Sequence, residues 1–282
     1  MNPNQPDPRY TAVQWLYAAP ALVLMALVNV VPILQCVYFA DKAHALAGDT
    51  RLWFALKHTL AFTAIAVTIE LALGLAIALL LFRPFPGRGL VRACVLIPWA
   101  LPTAIMAMAW KWIFNDTYGV LGDLLYRVGM AASPEIAWLA DPVKAMGACV
   151  LADVWKTTPF MAILLMSGLA GIPEELYEAA AIDGAGPVRR FFLITLPLLK
   201  PTIALAVLFR AIQTFAIFDL IWVLTGGGPG GSTQMIALYV YDTVFRYLDL
   251  GYGSTLTLFM AGCLLLISGA IYLLFHTREA YE

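Results

Sequence analysis

The chain has 282 residues, 62% of them hydrophobic and only 12% charged, with a formal net charge of −1 and a mean hydropathy of +0.82. Soluble domains run at about 45–50% apolar and about 25% charged, so this composition excludes a soluble fold and assigns the apolar excess to lipid. The charge balance also excludes a nucleic-acid binder, which carries a basic stripe. Cys36, Cys94, Cys149 and Cys263 all fall in apolar stretches without CxxC spacing, which reads as inert thiols rather than a disulfide framework or a zinc site.

A membrane-spanning helix needs about 20 mostly apolar residues, because lipid offers the backbone no hydrogen-bond partner. Six stretches qualify, at 15–39, 54–82, 93–114, 145–169, 201–224 and 254–275. The first is too long for the apolar region of a cleaved leader and is flanked by Arg9 against Asp7, so it reads as a retained helix. The apolar runs are continuous rather than alternating, which rules out a β-barrel reading. Six crossings put both ends of the chain on one side. Arg9, Arg83, Arg88, Arg92, Arg189, Arg190, Lys200 and Arg278 fall on that side against Lys42, Arg51, Lys57, Arg127, Lys144 and Arg246 on the other, and the dense charge of RPFPGRG and Arg189-Arg190 makes the first side cytoplasmic by the positive-inside rule. Segments 40–53, 115–144 and 225–253 are then external, and 83–92 and 170–200 internal. Pro98 and Pro102 in the third span and Pro159 in the fourth each permit a kink.

The internal segment 171–200 carries helix signals without a sustained apolar run. Pro173 suits a first helical position, Glu174 and Glu175 complement the dipole of the first turn, and Gly184 supplies a left-handed stop. A second short helix starts at Pro187, with Pro197 and Pro201 expected to break it before the fifth span. From residue types alone this is either a helix–turn–helix surface open to another protein at Ala179-Ala180-Ala181 or a plain connection.

Its residues narrow the choice. EAAAIDGAGPVRRFFLITLPLLKP resembles the EAA loop of membrane subunits of binding-protein-dependent ABC importers, whose pattern falls on Glu178, Ala179, Ala180, Asp183, Gly184, Ala185, Ile194, Leu196, Pro197 and Pro201. WKWIFNDTYGVLGDLL, ADVWKTTPFMAILLMSGLAGIPEELYEAA and FDLIWVLTGGGPGGSTQMIALYVYDTVF resemble segments of the sugar-transporting, maltose-permease-like group. Gly122-Asp123 departs from it, standing where many relatives carry Asn. The resemblance implies an all-α integral membrane protein with six transmembrane helices in the type I (MetI-like) importer architecture: one permease domain over 1–282 in a bacterial inner membrane, nearer the minimal six-span form than relatives with long extensions. It implies an ATPase-coupling surface at Glu175, Glu178, Ala179, Ala180, Asp183, Gly184 and Ala185. The implied partners are a second homologous permease subunit, two ATPase subunits that bind ATP and Mg, and an extracytoplasmic solute-binding protein. The implied cargo is a di- or oligosaccharide, with glycerol 3-phosphate as the nearest competitor.

The chain has no P-loop, since none of its lysines follows a glycine. Gly226, Gly228 and Gly231 formally spell GxGxxG, but Pro229 and the preceding span make that segment a flexible external turn rather than a dinucleotide site. His44, His58 and His276 form no metal-spaced cluster. The residues therefore indicate no enzyme active site and no cofactor held by this chain. Ionisable groups inside spans are costly and need a partner or a water-filled path. Glu70, Asp153, Lys156, Arg210 and Asp219 are such groups. Asp153 and Lys156, three apart, share a helix face and are expected to pair. Arg210, well inside the fifth span, needs a remote carboxylate, with Glu70 the expected one. Gln213, Thr214 and Asp219 with Phe215, Phe218, Trp222 and Tyr239 join hydroxyl-pairing groups to aromatic faces, a candidate sugar pathway. An ion-driven secondary transporter is the reading from another class. It requires internal repeats, which the two halves do not show, and leaves the EAA pattern unexplained.

Overall fold

A computed structural model of the chain describes residues 8–275. Asp7, His276 and Arg278, used in the sequence reading, lie outside the described residues. The regular elements of the described residues are all helices, without strands. The elements run α1 (Pro8–Phe39), a 3₁₀ turn (Ala43–Ala45), α2 (Thr50–Phe82), α3 (Arg88–Ala100), α4 (Thr103–Ile113), α5 (Val120–Arg127), α6 (Pro142–Ala170), α7 (Glu174–Ile182), α8 (Pro187–Arg190), α9 (Leu196–Phe215), α10 (Asp219–Leu224), α11 (Ile236–Tyr241) and α12 (Leu250–Phe275). Five helices are long and apolar enough to cross a membrane, and α3 with α4 makes a sixth if that bent pair is one span.

Two features of the spans differ from the sequence reading. The third span is broken. α3 and α4 meet at an angle of 91°, because Leu101, placed before Pro102, takes extended backbone (φ −73, ψ 137). The fifth span starts earlier and ends earlier than 201–224. Pro187–Phe215 is a single 29-residue rod, and residues 219–224 form the separate helix α10. Pro197 does not break the rod, because a π turn over Phe191–Thr195 carries the Leu196 N–H back to the Phe191 carbonyl. That wider turn moves the carbonyls a proline ring would strike.

Contacts divide the chain into two units. The first takes the residues up to Gly48 together with Val240–Ala261, and the second Asp49–Tyr239 and the residues from Gly262 on. Within the first, the Lys42 ammonium grips both Asp249 carboxylate oxygens at 2.8 Å. Asp249 also accepts from the Tyr252 N–H at 2.9 Å, capping the start of α12.

The second unit is built on α2 and α6. Asp49 caps α2 by accepting from the N–H groups of Arg51 and Leu52. Asp141 does the same for α6 with Val143 and Lys144, ahead of Pro142 at the first helical position. The helices approach closely through small residues. A Cβ on Gly74 would lie 2.6 Å from Cγ of Met161, and one on Gly168 would lie 2.7 Å from Cδ1 of Leu199. Backbone contact of this kind holds helices together where lipid removes the hydrophobic drive. Phe62, Ala66, Met106, Phe114, Ala152 and Leu220 pack one core cluster, and Ala78, Met161, Leu165, Leu199 and Ala206 a second. Gly122 lies against the Pro134 carbonyl, where a Cβ would collide. A larger side chain has no room there without a shift of that backbone.

The glycine-rich segment 225–233 is packed rather than a free turn. Thr225 and Thr233 share a hydroxyl hydrogen bond of 2.7 Å, and Thr233 donates to the Gly228 carbonyl at 2.7 Å. Just beyond, the Ile236 N–H donates to Thr59 Oγ1 on α2 at 2.9 Å, and Met235, Ile236 and Leu238 are fully buried.

Candidate functional site

Two regions of the second unit carry chemistry. The first is a junction of charges where α2, α6 and α9 meet. Glu70 is fully buried, Arg210 is 3% exposed and Asp153 5%. The Arg210 guanidinium donates through Nε to Glu70 Oε2 at 2.7 Å and through Nη2 to Glu70 Oε1 at 2.9 Å, a two-pronged grip. Nη2 also reaches Asp153 Oδ2 at 3.1 Å. Nη1 donates to Gln213 Oε1 at 2.9 Å, and the Thr157 hydroxyl donates to Glu70 Oε1 at 2.6 Å. The planar guanidinium fork suits such multiple grips, which a point-charge ammonium cannot make. Two carboxyl groups thus face one guanidinium, and Lys156 lies on the same wall.

Lys156 does not form the expected pair with Asp153. Its ammonium donates to the carbonyl of Leu101 at 2.8 Å and of Trp99 at 3.4 Å. Those carbonyls sit at the α3–α4 break, where the helical N–H partners are lost, while Arg210 already holds Asp153. The expected Arg210–Glu70 partnership is present.

Beside the junction opens a cavity of about 380 Å³ whose wall includes Trp99, Thr103, Asp153, Lys156, Arg210, Gln213, Thr214, Phe218 and Asp219. Its volume falls in the usual range for small-ligand sites. Of the pathway residues named from sequence, Gln213, Phe218 and Asp219 come together here. Trp222 stacks on Phe218 with ring centroids 5.8 Å apart. Phe215 and Tyr239 are placed elsewhere. Phe215 is fully buried in packing, and the Tyr239 hydroxyl donates to Asp49 Oδ2 at 2.7 Å, at the start of α2. Phe215 lies two residues, about 200° of helix turn, from Gln213, and α9 turns it to the core. Trp99 and Thr103 were missed, because their place on the wall depends on the 91° break. Pro98 and Pro102 were the available signal.

The second region is α7 and the turn after it. Glu174 and Glu175 occupy its first turn, one residue after Pro173, which precedes the helix rather than opening it. The turn closes as a Schellman motif: the Ala185 N–H donates to the Ala180 carbonyl at 2.8 Å and the Gly184 N–H to the Ala181 carbonyl at 3.1 Å. Gly184 has φ +74, a conformation other residues adopt only at a cost. Glu175, Glu178, Ala179, Asp183 and Gly184 are exposed, and Ala180 and Ala185 half-buried. The Tyr177 hydroxyl is 3.0 Å from Thr195 Oγ1, which ties α7 to the π turn. The result is a short helix held to the π turn by one hydroxyl contact, its outer face uncovered among the described residues.

Residues 70–279 match the family described as binding-protein-dependent transport system inner membrane component. The chain is 38% identical over 281 residues to the sulfoquinovosyl glycerol transport system permease protein SmoG of Agrobacterium fabrum, covering 94% of this chain and 90% of that one. It is 46% identical over 206 residues to the trehalose/maltose transport system permease protein MalF of Thermococcus litoralis, covering 73% and 68% respectively. Among solved structures, a chain of a bacterial alginate ABC transporter, crystallised with an alginate pentasaccharide-bound periplasmic protein, superposes with a TM-score of 0.85 at 19% identity over 95% of both chains. That last likeness is one of fold.

Proposed function

The chain belongs to the family of binding-protein-dependent transport system inner membrane components, a transport subunit rather than an enzyme, and on that premise we propose that it forms part of the translocation path for a carbohydrate of di- or oligosaccharide size. The cavity beside the charge junction carries the reading. Gln213, Asp219 and Thr103 offer hydroxyl-pairing groups, and Trp99 and Phe218 offer aromatic faces, on one wall of about 380 Å³. The names of its relatives, one a carrier of a glycosyl glycerol and one of trehalose or maltose, agree with that chemistry. Glycerol 3-phosphate fits less well. The Arg210 cation is taken up by two carboxylates and Lys156 by backbone carbonyls, so no free cation faces the cavity for a phosphate.

In this reading a second homologous permease completes the path, and an external solute-binding protein delivers the cargo. Two ATPase subunits bind ATP and Mg and dock on the face of α7 around Glu178, which places both chain ends in the cytoplasm. Nucleotide-driven closure of the ATPases moves α7, and its tie to the π turn passes the motion to α9. A rigid-body switch of this kind alternates access. The test is purification in mild detergent, identification of the co-purifying chains by mass spectrometry, and ATP-dependent uptake in proteoliposomes with the cognate binding protein. Uptake of a disaccharide over glycerol 3-phosphate, reduced by Asp219→Asn at unchanged abundance, is the expected outcome. Solute movement by this chain alone without ATP would overturn it in favour of a secondary transporter.

A further inference from the structure

A second cavity, of about 770 Å³, lies at the end of the second unit that carries α7. Its walls come from the ends of α2 and α6, from α7, and from α8 with the π turn. Leu79 and Leu80, in the last turn of α2, and Phe191 and Phe192, in the π turn, line it with apolar surface. Leu80 is 68% exposed and Phe192 59%. Its polar groups are Arg83 and Arg190, with the mutually bonded hydroxyls of Tyr177 and Thr195. Neither arginine has a salt bridge among the described residues, where Arg210, Arg127 and Arg246 all do. Arg83 directly follows Phe82, the last residue of a 33-residue apolar span. The groove therefore straddles the level at which hydrocarbon gives way to water. Placing the edge of the hydrocarbon at Phe82 puts the apolar walls on the bilayer side and the two guanidinium groups, without a salt bridge among the described residues, at the headgroup level.

We infer that this groove binds an anionic phospholipid, its acyl chains against Leu79, Leu80 and the Phe191-Phe192 pair and its phosphate between Arg83 and Arg190. Guanidinium groups grip phosphate oxygens in two-pronged fashion, and basic pockets between helices at the cytoplasmic boundary are a recurrent headgroup site. A neutral amphiphile would leave both cations without a partner. A soluble anion would leave the apolar walls wet. The site goes beyond the transport reading and holds whatever the cargo.

The test uses the full chain with its co-purifying partners, extracted into mild detergent and washed, with retained lipid measured by mass spectrometry. Phosphatidylglycerol is expected to be retained over phosphatidylethanolamine. The Arg83→Gln, Arg190→Gln double variant should lower that retention about thirtyfold, on the scale of roughly a factor of five per basic residue. Arg88→Gln with Arg189→Gln removes the same charge from neighbouring positions that do not line this groove, and should leave retention intact. A second measurement does not depend on the arginine variants folding. A tryptophan placed by Leu80→Trp should be quenched more strongly by brominated phosphatidylglycerol than by brominated phosphatidylcholine. Equal loss in both double variants would reduce the effect to diffuse surface charge and overturn the site. So would equal quenching by the two lipids, or no quenching at all because a partner subunit covers the groove.

Discussion

Glu70 and Glu178 are the same residue type in opposite settings. Glu70 is fully buried and takes three donor groups, two from Arg210 and one from Thr157. Glu178 stands exposed on α7. Desolvation makes the first arrangement all-or-nothing, because a buried charge that loses its partner cannot turn to water. The second is free of that penalty and tolerates change in the fold. The junction can therefore tie three helices together, while the exposed face of α7 leaves room for the docking proposed above.

The largest expected effect comes from breaking the junction. Arg210→Met strands the Glu70 and Asp153 carboxylates and is expected to lower stability by about 3–5 kcal/mol, read as a drop in the thermal midpoint in detergent. Arg127→Met removes the same cation from an exposed pair with Asp123 and should change it by less than about 0.5 kcal/mol. Similar midpoints for the two variants would mean that burial does not set the difference. Adding Glu70→Gln to Arg210→Met should recover part of the loss, since one fewer carboxylate is left unpaired.

A smaller effect is expected from the turn after α7. Gly184→Ala has open space around its new Cβ but must hold φ +74, at a cost of about 1 kcal/mol. Faster hydrogen exchange at the Gly184 and Ala185 amides would register it. Gly186→Ala, with equally open space and an ordinary φ of −67, is the matched control and should leave exchange unchanged.

Between the buried and exposed extremes lies the half-exposed Lys42–Asp249 pair. The Lys42 hydrogen bond, then the Tyr252 N–H, holds the Asp249 carboxyl below the usual carboxylate range. The same bond from Asp249 raises Lys42 above its ordinary value. A depressed carboxyl contributes stability above its unfolded pKa and loses it as pH falls through the folded one. A raised ammonium contributes below its unfolded pKa and loses it as pH rises through the folded one. Coupling between Lys42→Met and Asp249→Asn should therefore be flat from about pH 5 to 9. It should vanish in strong acid and strong base and fade in high salt. Coupling that persisted at pH 2 would show that charge does not carry it.

The long helices were legible because α2, α6 and α12 are continuous apolar runs. The Arg210–Glu70 partnership was legible because an arginine deep in a span has few ways to be satisfied. What escaped the sequence reading was backbone geometry. The α3–α4 break turned Trp99 and Thr103 onto the cavity wall and released the carbonyls that captured Lys156 from Asp153. Pro98 and Pro102 mark a break, but not which side chain its vacant carbonyls take up. Likewise the π turn at Phe191–Thr195 let a proline-bearing segment continue as one rod. The packed state of residues 225–233 was masked by glycines, although Met235, Ile236 and Leu238 just beyond them were a signal that the segment returns to the core.

The smallest expected effect on the fold is at Glu178, and it tests the comparison most directly. Glu178 has no salt bridge among the described residues, and its carboxylate is in solvent. Reversing its charge in Glu178→Lys therefore removes no internal contact, and the thermal midpoint should stay within about 0.5 kcal/mol of the parent. If α7 is the docking element, the same substitution places an ammonium where a partner expects a carboxylate, and like-charge contact at an interface costs several kcal/mol. The proposed ATPase subunit should then be lost on purification while the proposed second permease subunit is kept. Loss of both partners with a lowered midpoint would mean that the fold itself had failed. Retention of the ATPase at parental levels would remove Glu178 from the docking face while leaving the cavity reading untouched, since the two regions share no residue.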